Sequence, residues 1–315
     1  RVAPFLASLG CQNFFVATLD EGVALRALLP DVAIGVFNGL LAGEETAYAT
    51  HRLIPFLNDF GQVERMAAQA TGQIVGLQID TGMARLGLSG NDIDRLTQDP
   101  RILEGLQLHA VFSHLACADT PAHPKNAEQL SRFRALVKKL PATRLSLANS
   151  SGVFLGPEYH FDFARTGAAI YGLNPQPSNP NPMAQVLTLQ GKILQVHDVD
   201  SPQTVGYGAV YHVNGPARIA TVSVGYADGY MRTLGNRGSC FVDGKQVPVV
   251  GRISMDLITI DVTGIPSQQI SPGAFVELIG PHHSIDALAA EAGTIGYELL
   301  TTLGRRGQRT YIGGA

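Results

Sequence analysis

Cysteine is scarce in this chain. Cys11, Cys117 and Cys240 are widely spaced, and no C-x-x-C pair occurs. A disulfide framework and a zinc knuckle are therefore not expected, no metal site is foreseen, and a reducing, cytoplasmic compartment is the better fit. A basic surplus is also absent, because 23 Lys plus Arg stand against 26 Asp plus Glu for a net charge of -3. Nucleic acid and anionic membrane are not expected partners. No apolar run reaches the roughly 18 residues needed to span a bilayer. The opening, Arg1 to Cys11, has the outline of a signal segment ending in a lipoprotein cysteine. It lacks an initiator Met, contains Pro4 and runs straight into a strand at Asn13–Thr18, so Pro4–Leu9 reads as part of a helix. What is present is apolar mass: 315 residues, 45% apolar and 16% charged, with 35 Gly and 18 Pro. That composition excludes disorder and suits one barrel plus a smaller module.

The first half of the chain has a regular rhythm. β-rich runs fall at Phe14–Ala17, Val32–Phe37, Leu53–Leu57, Ile74–Ile79, Leu106–Phe112, Arg144–Leu147 and Phe161–Ala164. Helical stretches lie between most of them, at Asp20–Leu28, Glu64–Ala70, Asn91–Thr97 and Ala127–Leu140, with Asp20 and Asn91 as N-caps. Nearly continuous apolar strands are those of a parallel sheet covered on both faces. The expected fold is α/β, an eightfold (β/α) barrel whose first strand would precede Arg1. Four prolines between Asn174 and Pro182 then mark a stiff linker. Beyond it the period becomes two, with antiparallel strands predicted at Val186–Val199, Ala217–Val224, Cys240–Val250, Ile253–Val262 and Ala274–Ile279. Asp243-Gly244 is a hairpin turn, and helices follow at Ser284–Ala292 and Tyr297–Leu303. The chain thus divides into a barrel over residues 1–182 and a mainly antiparallel β domain over 183–315.

In such barrels the chemistry gathers past the C-terminal ends of the strands. Four segments fall there: Asp80-Thr81-Gly82-Met83-Ala84-Arg85-Leu86-Gly87, Ser113-His114, Ala148-Asn149-Ser150-Ser151 and Arg165-Thr166-Gly167-Ala168. Arg can hold a carboxylate in two-pronged fashion, while Ser beside backbone N–H groups can hold a phosphate. A phosphorylated ligand next to a carboxylate is the expectation. Asp80-Thr81-Gly82 also matches the aspartic-protease triplet, but that chemistry needs a second carboxylate and no second copy exists. Arg165 ends an apolar strand and should therefore have a partner. In the β domain, Gly206-Tyr207-Gly208-Ala209-Val210-Tyr211 flanks a tyrosine with glycines. Gly225-Tyr226-Ala227-Asp228-Gly229 and Gly251-Arg252-Ile253-Ser254-Met255-Asp256 add two more glycine-rich turns, with Arg232 close behind.

Taken in order, Asp80–Gly87, Ala148–Ser151, Arg165–Gly172, Gly206–Tyr211, Gly225–Gly229 and Gly251–Asp256 resemble the bacterial alanine racemase family, among the fold-type III pyridoxal-phosphate enzymes. The resemblance runs from Arg1 to the end and implies an isomerase that interconverts L- and D-alanine with pyridoxal 5'-phosphate. It makes Tyr207 the base on the L-alanine face, acting in the partner's site of a homodimer. Arg85 and the Met255 N–H would bind the substrate carboxylate, with Met255 again reaching the partner's site. Ser150, Gly167 and Ala168 would hold the phosphate. Arg165 would oppose the pyridine nitrogen, linked through His114 to its surroundings. Tyr226 and Asp256 would line the entrance, with Arg232 behind them. Removing an α-proton needs an electron sink, which the cofactor supplies, and racemisation needs a base on each face. D-alanine made in this way would serve peptidoglycan, or be degraded.

Three positions depart from the family pattern. The cofactor lysine, which is also the second base, belongs to a Lys-x-x-x-Tyr-Gly-x-Gly segment. None of Lys125, Lys138, Lys139, Lys192 and Lys245 has that setting, so the lysine is expected upstream of Arg1. Gln78 stands where many members carry a carbamylated lysine that orients the arginine. Arg305 falls near a tyrosine of some members and is given no role. The alternatives are a serine or broad-specificity racemase on the same scaffold, or a non-catalytic pyridoxal-phosphate-binding paralogue. Proteins of the latter kind lack the β domain that Met183–Tyr311 provides here.

Overall fold

The structure, a computed structural model, describes residues 1–69, 72–200 and 202–313. The expected helix end at Ala70 lies outside the described residues. Two compact units emerge. One comprises Arg1–Gly167 with Pro175–Pro180, the other Ala168–Asn174 with Asn181–Gly313, so the proline-rich stretch is shared between them.

In the first unit β1 (Asn13–Val16), β2 (Ala33–Val36), β3 (Ile54–Leu57), β4 (Gln73–Gln78), β5 (Leu106–Phe112) and β6 (Arg144–Ser146) form one sheet in sequential order. Every neighbouring pair is parallel. The helices are α1 (Val2–Ser8), α2 (Leu19–Leu28), α3 (Glu45–Thr50), α4 (Phe60–Gln69), α5 (Gly90–Gln98) and α6 (Lys125–Val137). Alternate strand residues face two separate cores, as a period of two requires. Ile34, Val36, Leu57, Val75, Leu77 and Val111 pack with Ile93, Leu96 and Phe133 of the helices. Phe15, Phe37, Ile54, Phe56, Ala110, Phe112 and Phe163 fill the other face.

That second core shows that the sheet is curled. Phe15 of β1 stacks on Phe163, which lies beyond β6, with ring centroids 5.9 Å apart. A flat sheet would separate them by roughly 29 Å at the usual strand spacing. Asn13 Oδ1 of β1 likewise meets His109 Nε2 at 3.1 Å and Arg144 Nη1 at 3.3 Å, across the curl from β5 and β6.

The predicted strand at Phe161–Ala164 is the main correction here. Asp162 and Arg165 donate to the carbonyls of Leu145 and Ala148, and Asn149 and Arg165 form a single parallel bridge, but no strand develops. Phe161 has φ 52, which breaks the extended backbone at its start, and β6 offers only three residues to pair with. Two caps also shift. The N-cap of α2 is Thr18, with Glu21 completing a capping box, and that of α5 is Ser89 with Asp92. Asp20 and Asn91 lie inside their helices.

The second unit holds β7 (Leu189–Val199), β8 (Gln203–Val205), β9 (Tyr211–Val213), β10 (Ala217–Val222), β11 (Ser239–Val242), β12 (Lys245–Val250), β13 (Ile258–Asp261) and β14 (Phe275–Ile279). Six of them close a barrel in the order β10-β13-β12-β11-β14-β7, and β8 pairs with β9 as a separate ribbon. Helices α7 (Ile285–Ala292) and α8 (Gly296–Thr302) follow. The hairpin at Asp243-Gly244 is present, with φ 49 and 74, as a two-residue turn of this hand requires. The run Ile253–Val262 becomes a strand only from Ile258. Ser254 N–H donates to Leu257 O at 2.9 Å, which turns the chain, and the Ser254 and Met255 carbonyls are taken by a neighbouring loop. Among the described residues no helix is long and apolar enough to cross a membrane.

Phe56 is fully buried and its ring meets those of Phe15, Phe37 and Phe112. Phe56→Ala is expected to destabilise the first unit by roughly 3–5 kcal/mol, read as a lower midpoint in urea unfolding. A loss under 1 kcal/mol, far below that of a packed aromatic core, would contradict this account.

Candidate active site

At the strand ends of the first unit, the loop after β4 is shaped by Asp80. Its carboxylate accepts the N–H groups of Gly82 at 2.8 Å, Met83 at 2.9 Å and Ala84 at 3.2 Å. Burial raises this carboxyl, but the three backbone bonds and Arg132 outweigh burial and hold it below the usual carboxylate range. Asp80 therefore organises its own loop and is not a shared-proton acid. The loop leaves Arg85 exposed. Gln78, buried on β4, donates from Nε2 to Leu86 O at 3.0 Å and so fixes the residue after Arg85.

A second buried amide was not signalled by any motif. Gln129 of α6 is fully buried. Its Nε2 donates to Thr81 Oγ1 at 3.1 Å and His114 O at 2.8 Å, and its Oε1 accepts from Ala116 N at 2.9 Å. Thr81 Oγ1 in turn meets Ser113 Oγ at 2.7 Å. One helix residue thus locks the Arg85 loop to the His114 loop. Gln129 looks like any polar helix position in the sequence, because its partners lie 13 to 48 positions away.

Arg165 has partners, as its setting required, but among the described residues none is an anion. Nη1 donates to Ser146 Oγ at 2.6 Å and Nη2 to Ser113 O at 2.6 Å and Leu147 O at 3.4 Å. The guanidinium also lies 4.4 Å from the ring centroid of Phe112. Burial pulls its pKa down to about 9, so it stays charged at neutral pH. Beside it, His114 is driven from 6.5 to about 4 by burial first, then by the charges of Arg165 and Arg85. No ring hydrogen bond from His114 is present among the described residues, so its link to Arg165 is electrostatic. Ser150 is buried, and its Oγ accepts from Gly167 N–H at 3.1 Å. Ala168 follows and opens a short 3-10 turn over Ala168–Tyr171.

In the second unit the three glycine-rich segments come together. Tyr207 sits in a 3-10 turn between Gly206 at φ 76 and Gly208 at φ 74, with 69% of its surface exposed. Gly206 lies against Gly251 and Arg252. Gly225 could not be any other residue, because a Cβ there would stand 2.3 Å from Met255 O. That approach lets Tyr226 N–H donate to Ser254 O at 3.1 Å and Ala227 N–H to Met255 O at 3.0 Å. Tyr226 and Met255 are half-exposed, and the Met255 N–H finds no acceptor among the described residues. Asp256 pairs with Arg306 at 2.7 Å, a residue outside every recognised segment. Arg232 is exposed and shows no side-chain bond to Tyr226 or Asp256.

Two family models match this chain, the alanine racemase N-terminal domain over residues 1–175 and the alanine racemase C-terminal domain over 186–311. The chain belongs to the alanine racemase family. An alanine racemase of Rhodospirillum rubrum is 49% identical, with 99% of this chain and 85% of the relative covered. Among solved structures, alanine racemase from Bartonella henselae with covalently bound pyridoxal phosphate superposes with a TM-score of 0.94 at 36% identity, covering 99% of this chain and 88% of that one. Biosynthetic alanine racemase from Pseudomonas aeruginosa gives 0.89 at 34% identity, covering 96% and 86%. The resemblance carried by six short segments is thus that of the whole chain.

The His114 imidazole should stay neutral until about pH 4. Its folded-state pKa lies below the ordinary 6.5, so its contribution to stability is complete above pH 6.5 and drains away as pH falls toward 4. An NMR titration of the ring, with the acid-side stability slope of His114→Gln beside the parent, checks this. A ring titrating near 6.5 would contradict it.

Proposed function

We propose that this protein interconverts L- and D-alanine with pyridoxal 5'-phosphate as cofactor, working as a homodimer. The observation that carries the reading is Arg165: a guanidinium held, among the described residues, only by neutral acceptors and a ring face, two positions before Gly167, whose N–H donates to the Ser150 hydroxyl. This donor set suits a ligand that brings both a phosphate and an electron-rich aromatic nitrogen.

Ser150, Gly167 and Ala168 would hold the phosphate, and Arg165 the pyridine nitrogen. When bound, pyridoxal phosphate supplies the electron sink that makes an α-proton removable. Arg165 keeps its charge at neutral pH and so disfavours a proton on that nitrogen, which moderates the sink and limits side reactions. Arg85 and the Met255 N–H would bind the substrate carboxylate and fix which hydrogen faces which base. Tyr207 Oη would take and return the proton on the L-alanine face. The opposite face calls for a second base, a role we give to none of the lysines of this sequence. Of the chain's own lysines, Lys125 and Lys139 pair with Glu128 and Asp94, and Lys192 lies over the Phe275 ring.

The dimer reading is supported by the surface around Tyr207. Tyr207, Val210, Tyr226 and Met255 are all large and exposed, on loops that touch one another. Apolar groups gathered in this way call for a covering partner. Tyr207 and Met255 would then complete the partner subunit's site, while Tyr226 and Asp256 line its entrance and Arg232 stands behind. The three cysteines are unpaired, in keeping with a cytoplasmic enzyme that supplies D-alanine for peptidoglycan or degrades it.

In the holoenzyme, Tyr207→Phe is expected to lower kcat for alanine racemisation by about 10²–10⁴. Solvent deuterium should still enter D-alanine at the α-carbon, while exchange from L-alanine is lost. Equal loss of exchange from both enantiomers would remove Tyr207 from its one-sided role. A parent enzyme that leaves alanine unchanged would overturn the reading itself.

A further inference from the structure

We infer that Arg306, in the segment after α8, is a positioning residue for the loop that receives the substrate carboxylate, tying Asp256 beside Met255 to Asp228 beside Tyr226. The inference rests on the racemase reading of Met255. Arg306 Nη2 stands 2.7 Å from Asp256 Oδ1, and its Nε stands 3.5 Å from Asp228 Oδ1. The other oxygen of Asp228 accepts the Gly225 N–H at 2.9 Å and so holds the turn on which the Met255 loop rests. One guanidinium therefore joins the two loops that shape this corner of the second unit.

The segment carrying Arg306 is itself fastened to the same turn. Gly304 N–H donates to Asp228 O at 3.0 Å, and Thr302 Oγ1 donates to Gly229 O at 3.3 Å. The planar fork of an arginine reaches two carboxylates at once, which a point charge does less well. Charge matters as much as geometry. Asp256 follows Met255 directly, and an unpaired carboxylate there would repel the anion that the Met255 N–H is meant to receive. Arg306 cancels that repulsion without touching the reacting atoms. Its removal should therefore weaken substrate binding and leave the proton transfers nearly intact.

The test is steady-state kinetics on the holoenzyme in both directions. Arg306→Ala should raise KM for alanine about fivefold, the size of a networked surface ion pair, with kcat within twofold. Arg306→Lys should recover most of the change. In an Asp256→Asn background, where the offending charge is already gone, the same Ala substitution should cost far less. High ionic strength should shrink the effect as well. An unchanged KM overturns the inference. So does a parallel fall in kcat and melting temperature that Lys does not mend, since that marks a purely structural residue. A parent enzyme that fails to interconvert alanine sinks the racemase reading beneath it and is established before any variant is compared.

Discussion

A cation held without an anion is the constraint on which the site of the first unit depends. Arg165 is kept in place by Ser146 Oγ, two backbone carbonyls and the face of Phe112. Phe112 and Ser113 come from the end of β5, and Ser146 and Leu147 from the end of β6. The guanidinium therefore cannot settle unless β5, β6 and the segment beyond them have reached their final register. A carboxylate in the same place would have neutralised the charge and left nothing for a ligand. With neutral acceptors the charge survives, and after burial it is the next cause of the resistance of His114 to protonation. Folding and ligand chemistry thus share one requirement, an uncompensated positive charge at the rim.

The two units position their loops by different physical means. In the first, a buried polar network does it: Gln129 has all its donors and acceptors used, and Thr81 and Ser113 share a hydrogen bond behind the Arg85 loop. Such networks are rigid when fully satisfied. In the second, backbone meets backbone, and glycine is what permits it. Gly225 allows the Met255 loop to lie directly on the Tyr226 turn, at distances that no side chain would tolerate. On the proposed reading a base at Tyr207 and a binding N–H at Met255 must keep a fixed separation, and main-chain contacts vary less than side-chain ones.

How much of this was readable from residues alone follows from where the information lies. The parallel sheet of the first unit and the antiparallel strands of the second could be read because periodicity and turn chemistry are local, whereas the closure of six of those strands into a barrel could not. Asp243-Gly244 is a case in which two residues determine a hairpin. The Phe161–Ala164 run looked equally strand-like, yet a neighbour only three residues long gave it almost nothing to pair with. Ser254 and Met255 fell inside a predicted strand, but their carbonyls accept from Tyr226 and Ala227 of a turn some thirty positions earlier in the chain. Thr18 and Ser89 outcompete the expected caps because each finds an acid three residues on. Gln129 and Arg306 belong to another class. Their significance is entirely in their distant partners, and no local pattern announces it.

Gln78 shows what a departure from a family pattern does to electrostatics. Where many members carry a lysine-derived anion, this chain has a neutral amide that donates to Leu86 O and steadies the Arg85 loop through the backbone. The mechanical task is therefore still performed. The electrical one is not, because an amide does not offset the charge of Arg85, and that charge reaches as far as His114. Arg85 and Arg165 then act in the same direction on one imidazole. A second protonated group at that rim would face two cations at once. On the proposed reading the rim keeps its histidine neutral, by burial first and then by these two charges, and reserves its positive charge for groups that arrive from outside, a carboxylate at Arg85 and an aromatic nitrogen at Arg165.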